Sequence, residues 1–217
     1  YTSPLNGTDE ARRNNIREAL RLLKEAGWEI RDRKLTNVAS GEAMQVEILL
    51  DNRLFERVAL SYMQGLERIG VSVDIRIVDP SQQELRERNR DFDMILFSVG
   101  QSQSPGNEQR FFWGSVAADQ PNSPNTLGIK NEAIDLLVDR VVFAKSRDEL
   151  VAATHALDRV LLAGHYVVPH WRSATIRTLR WDRFAGPETL PSRSPDGGFP
   201  EVWWFDPAKS ARTDAKK

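Results

Sequence analysis

The sequence predicts an α/β fold in which βαβ units build a mixed sheet. The clearest unit runs from residue 44 to residue 77, where an alternating apolar segment is followed by an amphipathic helix and by a second alternating segment. A further apolar run, Met94–Phe97, is continuous rather than alternating, as in a strand that is covered on both faces. Strands that alternate with helices in this order indicate parallel connections within a sheet.

Capping residues and hydrophobic periods define the predicted boundaries of the elements. Asp, Asn, Ser and Thr precede the helical periods and Gly follows most of them, because these residues satisfy free N–H groups or accept a left-handed backbone at helix ends. The predicted elements are a helix capped by Asn6 or Thr8 and ended by Gly27, a hairpin over Trp28–Leu50 that turns at Ala39–Gly41, a helix from Phe55 to Gly70, the strand Val71–Ile77, a helix opened by Asp79 and Pro80, the strand Met94–Phe97, helices that start at Asn131 and Ser146, and strands at His165–Trp171 and Thr175–Trp181.

The longest segment without a period lies between residues 98 and 130. It exceeds the roughly 12–15 residues beyond which loops in compact domains are usually functional or disordered, and its aromatic residues argue against disorder. Its amides, with one acid and one Arg beside them, suit a ligand that presents N–H and C=O groups, such as peptide backbone. Equally, these amides can satisfy the backbone of the loop itself, and the aromatic rings can anchor it. The candidate ligand-binding residues are Gln101, Gln103, Ser104, Asn107, Glu108, Arg110 and Trp113.

Composition argues against several other classes of function. The 30 basic and 31 acidic residues nearly cancel, so no overall field favours nucleic acid or an anionic membrane. There is no cysteine, and the three histidines lack the spacing of metal ligands. No glycine-rich phosphate-binding motif occurs. We therefore expect neither a metal, nor a cofactor, nor a nucleic-acid partner.

Two alternatives compete with a ligand-binding loop. Residues 100–104, G-Q-S-Q-S, follow a predicted strand and nearly match the G-x-S-x-G nucleophile elbow of serine esterases, with Ser102 as the nucleophile. However, Ser104 replaces the last glycine, and Pro105 and Gly106 oppose the helix that must follow the elbow at once. The chain can also be a stand-alone interaction module. We rank binding first and do not expect an enzyme.

Several short segments resemble the C-terminal part of the family 5 solute-binding proteins, the dipeptide and oligopeptide receptors of ABC importers. These segments are A-L-R-L-L-K-E-A-G-W at Ala19–Trp28, F-D-M-I-L at Phe92–Leu96, L-D-R-V-L-L at Leu157–Leu162 and Y-V-V-P at Tyr166–Pro169. Others are similar to a YejA-type subgroup associated with the uptake of peptides and microcin C: S-P-G-N-E-Q-R at Ser104–Arg110, F-W-G-S at Phe112–Ser115, F-A-K at Phe143–Lys145 and L-V-A-A-T at Leu150–Thr154.

The resemblance implies a two-lobed periplasmic receptor with a type II binding-protein fold, of which this chain is a fragment that lies beyond the signal peptide. Residues 1–166 would form the second lobe, and strands in 167–206 would return to the first lobe. Independently of the resemblance, the polar residues of 207–217 predict a disordered tail. The implied partners are a peptide, a membrane ABC permease and the N-terminal part of the same protein. Relatives often bind the peptide ammonium with an Asp shortly after the last sheet strand. Here the corresponding residues are Gln101, Ser102 and Gln103, and Glu108 is the nearest acid in the loop.

Overall fold

The computed structural model describes residues 2–102, 104–171, 173, 177, 179–189 and 200–215. The chain forms a larger unit, Tyr1–Val99 with Gly106–Tyr166, and a smaller unit, Gly100–Pro105 with Val167–Lys217. Helices alternate with short strands, which confirms the predicted α/β class. In chain order the elements are α1 (Asp9–Glu25), β1 (Trp28–Arg31), β2 (Lys34–Asn37), β3 (Gln45–Leu50), a 3₁₀ turn (Arg53–Phe55), α2 (Glu56–Glu67), β4 (Ser72–Ile77), α3 (Pro80–Asn89), β5 (Met94–Ile95), α4 (Glu108–Trp113), α5 (Ser115–Ala118), α6 (Glu132–Val142), α7 (Arg147–Ala163), β6 (Phe184–Ala185), β7 (Trp204–Phe205) and α8 (Pro207–Asp214).

A parallel three-stranded sheet in the order β4–β3–β5 holds one apolar core of the larger unit. In the central strand, Ile48 pairs with Ile75 of β4 and with Met94 of β5. Helix α2 packs against this sheet and buries Ala59 with Ile48. The strand–helix–strand unit that the sequence predicts therefore forms, and its strands are parallel. The antiparallel pair β1–β2 makes a sheet of its own.

The hairpin occurs earlier in the chain than the sequence predicts. Strands β1 and β2 pair antiparallel across Asp32 and Arg33, which have positive φ angles of 49° and 66°. The predicted turn does bend the chain, because Asn37 Oδ1 accepts hydrogen bonds from the N–H groups of Ala39 and Ser40. The strand after that turn, β3, joins the parallel sheet instead of pairing with β1. Alternation predicts that a segment is a strand, but it does not choose the partner of that strand.

A second apolar core lies among the helices of the larger unit. Asn131 caps α6 by accepting hydrogen bonds from the N–H groups of Ala133 and Ile134, and Ser146 caps α7 by accepting one from Glu149. Both helix starts are therefore confirmed. This helical core consists of the buried residues Ile129, Ile134, Val138, Val141, Ala153 and Leu157.

Three predicted strands differ from the structure. β5 contains only two residues, and Phe97 beyond it is 44% exposed, so the run Met94–Phe97 is not a strand covered on both faces. No strand forms at His165–Trp171, nor in the described part of Thr175–Trp181; the other residues of that second range lie outside the described residues. Aromatic and β-branched residues in these stretches favour strands only where a neighbouring strand is available for pairing.

Helix α8 occupies much of the segment that the sequence predicts to be a disordered tail. Asp206 caps it by accepting a hydrogen bond from the Lys209 N–H group, and Arg183 forms an ion pair with Asp214 near its end. Strands β6 and β7 pair antiparallel in the same unit. The assignment of each segment to a lobe of a longer protein stays a prediction. No helix within the described ranges is long and apolar enough to cross a membrane.

Candidate functional site

The segment between residues 98 and 130 contains the two short helices α4 and α5, so it is not the irregular loop that the sequence predicts. It leaves β5 at the carboxyl edge of the parallel sheet, where α/β sheets generally bind ligands. Gly114 separates the two helices. A Cβ atom on Gly114 would lie 2.6 Å from the Arg110 carbonyl oxygen, so only glycine fits this junction without a backbone shift.

The candidate residues belong to both units. Gln101 and Ser104 are exposed residues of the smaller unit, and the Ser104 N–H group donates a hydrogen bond to Ser102 Oγ at 3.1 Å. Gln103 lies outside the described residues. The structure brings the remaining candidates together in the larger unit, on α4 or directly before it: Asn107, Glu108, Arg110 and Trp113.

Helix α4 presents Glu108 and Arg110 on different faces, because residues two apart on a helix do not face each other. The Arg110 side chain lies against α6. Its Nη2 atom donates to Asp139 Oδ1 at 2.7 Å, and its guanidinium group lies 5.1 Å from the centre of the Phe143 ring. Exposed ion pairs contribute only about 0–1 kcal/mol, so a ligand carboxylate can compete with Asp139 for Arg110.

The Glu108 carboxylate is bound by its own loop. Its Oε1 atom accepts hydrogen bonds from the Gly106 N–H group at 2.9 Å and from Gln109 Nε2 at 3.3 Å. Burial by itself would raise the pKa of Glu108. Hydrogen bonds from the backbone N–H groups of Gly106 and Glu108 and from the Gln109 amide outweigh burial, and they lower the pKa below its ordinary value of 4.5. Glu108 is therefore ionised at neutral pH.

This lowered pKa predicts how stability depends on pH. The ionised Glu108 carboxylate stabilises the folded state above the pKa that it has in the unfolded chain, and this contribution is lost as pH falls through the lower folded pKa. Replacing Glu108 by Gln should therefore reduce the free energy of unfolding more at pH 7 than at pH 3. Urea denaturation of both proteins at the two pH values measures the difference. An equal loss at both values would contradict the role given to the charge.

Trp113 is anchored on the helical core. Its half-buried ring packs against that cluster, and its Nε1 atom donates a hydrogen bond to Gln109 Oε1 at 3.0 Å. The Phe112 ring lies beside it, with 6.0 Å between the ring centres. Of the two interpretations left open by the sequence, these contacts support the one in which the residues satisfy and anchor their own segment, and the role in ligand binding stays a prediction. The indole fixes the end of α4, while the part of the ring that is not buried remains accessible.

Sequence reasoning missed two residues that hold the segment after α5. Asn125 is 1% exposed; its Nδ2 atom donates to the carbonyl oxygens of Gly114 and Ile129 at 3.0 Å each, and its Oδ1 atom accepts from the Ile129 N–H group at 2.9 Å. Arg90 Nη2 donates to the carbonyl oxygens of Ala118 at 2.5 Å and of Asn125 at 3.3 Å. The only signal in the sequence is the cluster of turn-forming residues before Asn125, which predicts a turn but not a buried amide.

The geometry around Ser102 differs from that of a nucleophile elbow. The elbow places its Ser on a sharp turn directly between a strand and a helix. Here β5 ends at Ile95 and the next helix begins only at Glu108, so Ser102 lies on no such turn. Across the part of the chain that the structure describes, no group of three or more His, Asp and Glu side chains is placed to hold a metal ion.

The parallel sheet with a polar segment at its carboxyl edge defines an α/β fold, and solved structures share this fold. The oligopeptide-binding protein AppA from Bacillus subtilis, solved in complex with a nonapeptide, matches with a TM-score of 0.65 and 18% identity. The match covers 88% of this chain and 37% of AppA. The fold is therefore that of a periplasmic binding protein.

The chain belongs to the bacterial extracellular solute-binding proteins of family 5, since the model of the middle region of that family matches residues 1–121. It is 47% identical to the uncharacterized protein y4wM of Sinorhizobium fredii, over 94% of this chain and 30% of y4wM. It is 46% identical to the probable peptide-binding protein YejA of Agrobacterium fabrum, over 94% of this chain and 33% of that protein. The chain thus spans about a third of the length of these curated relatives. The resemblance inferred from short segments is confirmed.

Proposed function

We propose that the protein carrying this chain is the peptide-binding component of an ABC importer. Its two lobes close around a hinge, and closure buries the peptide in the cleft between them. The observation that carries the proposal is the 46% identity to a probable peptide-binding protein over 94% of this chain. The polar segment after β5 supports it, because this segment offers donors, acceptors and an aromatic ring at the edge of a sheet where ligands bind.

In the proposed site, different residues bind different groups of the peptide. Glu108 binds the α-ammonium group through Oε2, because Oε1 already accepts hydrogen bonds from the loop. Arg110 binds a carboxylate in place of Asp139. Asn107 is exposed and its side chain does not cap α4, so its amide can pair with peptide backbone. The complete proposed set is Gln101, Gln103, Ser104, Asn107, Glu108, Arg110 and Trp113.

The ligand class, partners and location follow from the same proposal. Contacts directed at the peptide backbone tolerate many side-chain sequences, and microcin C-like peptides fall within this class. The proposed partners are a membrane ABC permease and the N-terminal part of the same protein, and the proposed location is the periplasm. We propose no catalytic step. Hydrolysis of a simple ester that is lost in Ser102→Ala would contradict that part of the proposal.

Replacing Trp113 by Ala tests the site. We expect the affinity of the intact protein for short peptides to fall by about thirtyfold, because a buried Trp at a binding surface typically contributes 2 kcal/mol or more. The melting temperature should fall as well, since the ring also packs on the helical core. Isothermal titration calorimetry with a mixture of short peptides, below the melting temperature of the variant, measures the affinity.

Leu54→Ala is the matched control, because Leu54 is 78% exposed just before α2 and is not a proposed contact. Its affinity should equal that of the wild-type protein. Unchanged affinity in Trp113→Ala would remove Trp113 from the site. The absence of any binding heat with the wild-type protein, across peptides with free and with acetylated N termini, would reject peptide binding itself.

A further inference from the structure

Gln109 is a buried polar residue in the middle of the proposed peptide-binding segment. It is 5% exposed, and its side chain joins two residues of the proposed site. Its Oε1 atom accepts a hydrogen bond from Trp113 Nε1 at 3.0 Å, and its Nε2 atom donates one to Glu108 Oε1 at 3.3 Å. Trp113 lies four residues after Gln109, so the two side chains share one face of α4.

The chemistry of the two neighbours determines the orientation of the Gln109 amide. An indole N–H group can only donate a hydrogen bond, and an ionised carboxylate can only accept one. The amide satisfies both when its oxygen faces Trp113 and its nitrogen faces Glu108, as in the structure. A Leu of similar size can satisfy neither neighbour, and an ionised Glu can satisfy only the indole.

These hydrogen bonds form a continuous chain, called the relay below, from the loop to the helical core. The Gly106 N–H group donates to Glu108 Oε1, the Gln109 amide donates to the same oxygen, and Trp113 donates to Gln109. At its far end the relay reaches the Trp113 ring, which packs on the helical core. The position of the Glu108 carboxylate therefore depends on a core that is built by other helices.

We propose that Gln109 is a positioning residue for peptide binding, which couples the Glu108 carboxylate to the Trp113 indole and holds the segment 106–113 in its binding geometry. This inference rests on the proposed function. Gln109 itself does not bind the peptide. Its contribution is to fix the two groups that do, so less conformational freedom is lost when the peptide binds.

Three variants of the intact protein test the relay. Gln109→Leu removes the hydrogen bonds to Trp113 and Glu108, and Gln109→Glu keeps an acceptor toward Trp113 but no donor toward Glu108. The matched control is Gln83→Leu on α3, because Gln83 is also buried, at 8% exposure, and also donates to a Glu four residues later, Glu87, at 2.6 Å. The control removes a similar buried amide from a helix that carries none of the proposed contacts.

Three measurements are made on each variant. Hydrogen exchange of the segment 106–113 reports whether the Gly106 N–H group is still bound. The ¹⁹F signal of Trp113 in fluorotryptophan-labelled protein, identified as the signal missing from Trp113→Phe, reports the indole. Calorimetry then gives the peptide affinity. In Gln109→Leu we expect faster exchange, a shifted Trp113 signal and an affinity about tenfold lower, whereas Gln83→Leu should change none of the three.

Gln109→Glu adds a pH profile that a purely structural role would not produce. At pH 8 the new carboxylate faces Glu108 and repels it. Exchange should then be faster, and the affinity lower, than in the wild-type protein at the same pH. At pH 5 a proton shared by the two carboxylates restores a donor toward Glu108, and affinity should recover toward that of the wild-type protein at the same pH. The adjacent helix α6 carries three acidic groups: Asp135 accepts a hydrogen bond from the Ser115 N–H group, Asp139 accepts one from Arg110, and Glu132 is exposed in the first turn.

The outcomes separate this inference from the proposed function. Wild-type exchange and an unshifted Trp113 signal in Gln109→Leu would overturn the relay. A broken relay with unchanged affinity would overturn the positioning role. If the wild-type protein binds no peptide, the proposed function fails and the role in affinity fails with it, while the exchange and ¹⁹F measurements still decide whether the relay exists.

Discussion

Replacing Asn125 by Leu is expected to lower the free energy of unfolding by about 3 kcal/mol, because each buried polar group left without a partner costs about 1–3 kcal/mol. Leu has the same number of side-chain heavy atoms as Asn and two larger methyl groups, so the substitution leaves no cavity and the loss comes from hydrogen bonding and tighter packing. Three backbone groups lose the Asn125 side chain as their hydrogen-bond partner: the carbonyl oxygens of Gly114 and Ile129 and the N–H group of Ile129. Gly114 and Ile129 are both buried residues.

Urea denaturation followed by circular dichroism measures this loss. The matched control is Asn89→Leu, since Asn89 is exposed at the end of α3, and exposed substitutions usually change stability by less than about 0.5 kcal/mol. Hydrogen exchange should also become faster at the Ile129 amide. A loss no larger than that of the control would mean that Asn125 does not hold the segment after α5.

Replacing Gly70 by Ala is expected to cost about 2–4 kcal/mol. Gly70 joins α2 to β4 with a φ angle of 86°, a left-handed conformation that disfavours every residue with a Cβ atom. The added Cβ would lie 2.8 Å from the backbone nitrogen of Leu35, whose N–H group donates to the Gly70 carbonyl oxygen at 2.6 Å. Backbone strain and steric overlap therefore act together, and the overlap displaces the buried Leu35.

The same substitution at Gly65 is the control, and its expected effect has the opposite sign. Gly65 is exposed within α2, and an added Cβ would meet no atom within 4 Å. Ala there should raise the free energy of unfolding by about 0.5–1 kcal/mol, because Gly is a poorer helix former. Thermal and urea denaturation of both variants measure the two changes in the free energy of unfolding. Similar effects at the two positions would show that the hairpin does not pack against Gly70 as described.

The helices were the most predictable part of the fold. Asp79 with Pro80, Asn131 and Ser146 each begin a helix in the structure as the sequence predicts. Caps act within a few residues, so the information that places a helix start is local. The alternating strand β4 was predictable for a related reason, since its period reports which side chains are half-buried.

The partners of the strands were less predictable. Ala39–Gly41 is a turn, yet the hairpin forms across Asp32 and Arg33, and β3 pairs with β4 and β5. A strand pattern states which face is apolar, whereas pairing depends on segments far away in the chain. The continuous run at Met94–Phe97 contributes only two residues to the sheet for the same reason.

For the candidate binding residues, too, the local information was predictable and the distant contacts were not. Glu108, Arg110 and Trp113 were identified from their chemistry, and each lies on α4. Their contacts were not predictable, because Arg110 pairs with Asp139 across a sequence separation of 29 residues. Asn125 went unnoticed because an Asn in a turn-rich stretch looks like an ordinary turn residue.

By itself, the sequence determined the α/β class, the starts of the capped helices, the family and the set of polar residues after the last sheet strand. These depend on local periods, caps and short motifs. Only the tertiary structure decided which strands pair, which faces of α4 carry Glu108 and Arg110, and which amides are buried. Those features depend on contacts between distant segments, where one buried amide such as Gln109 or Asn125 satisfies several groups that no local pattern brings together.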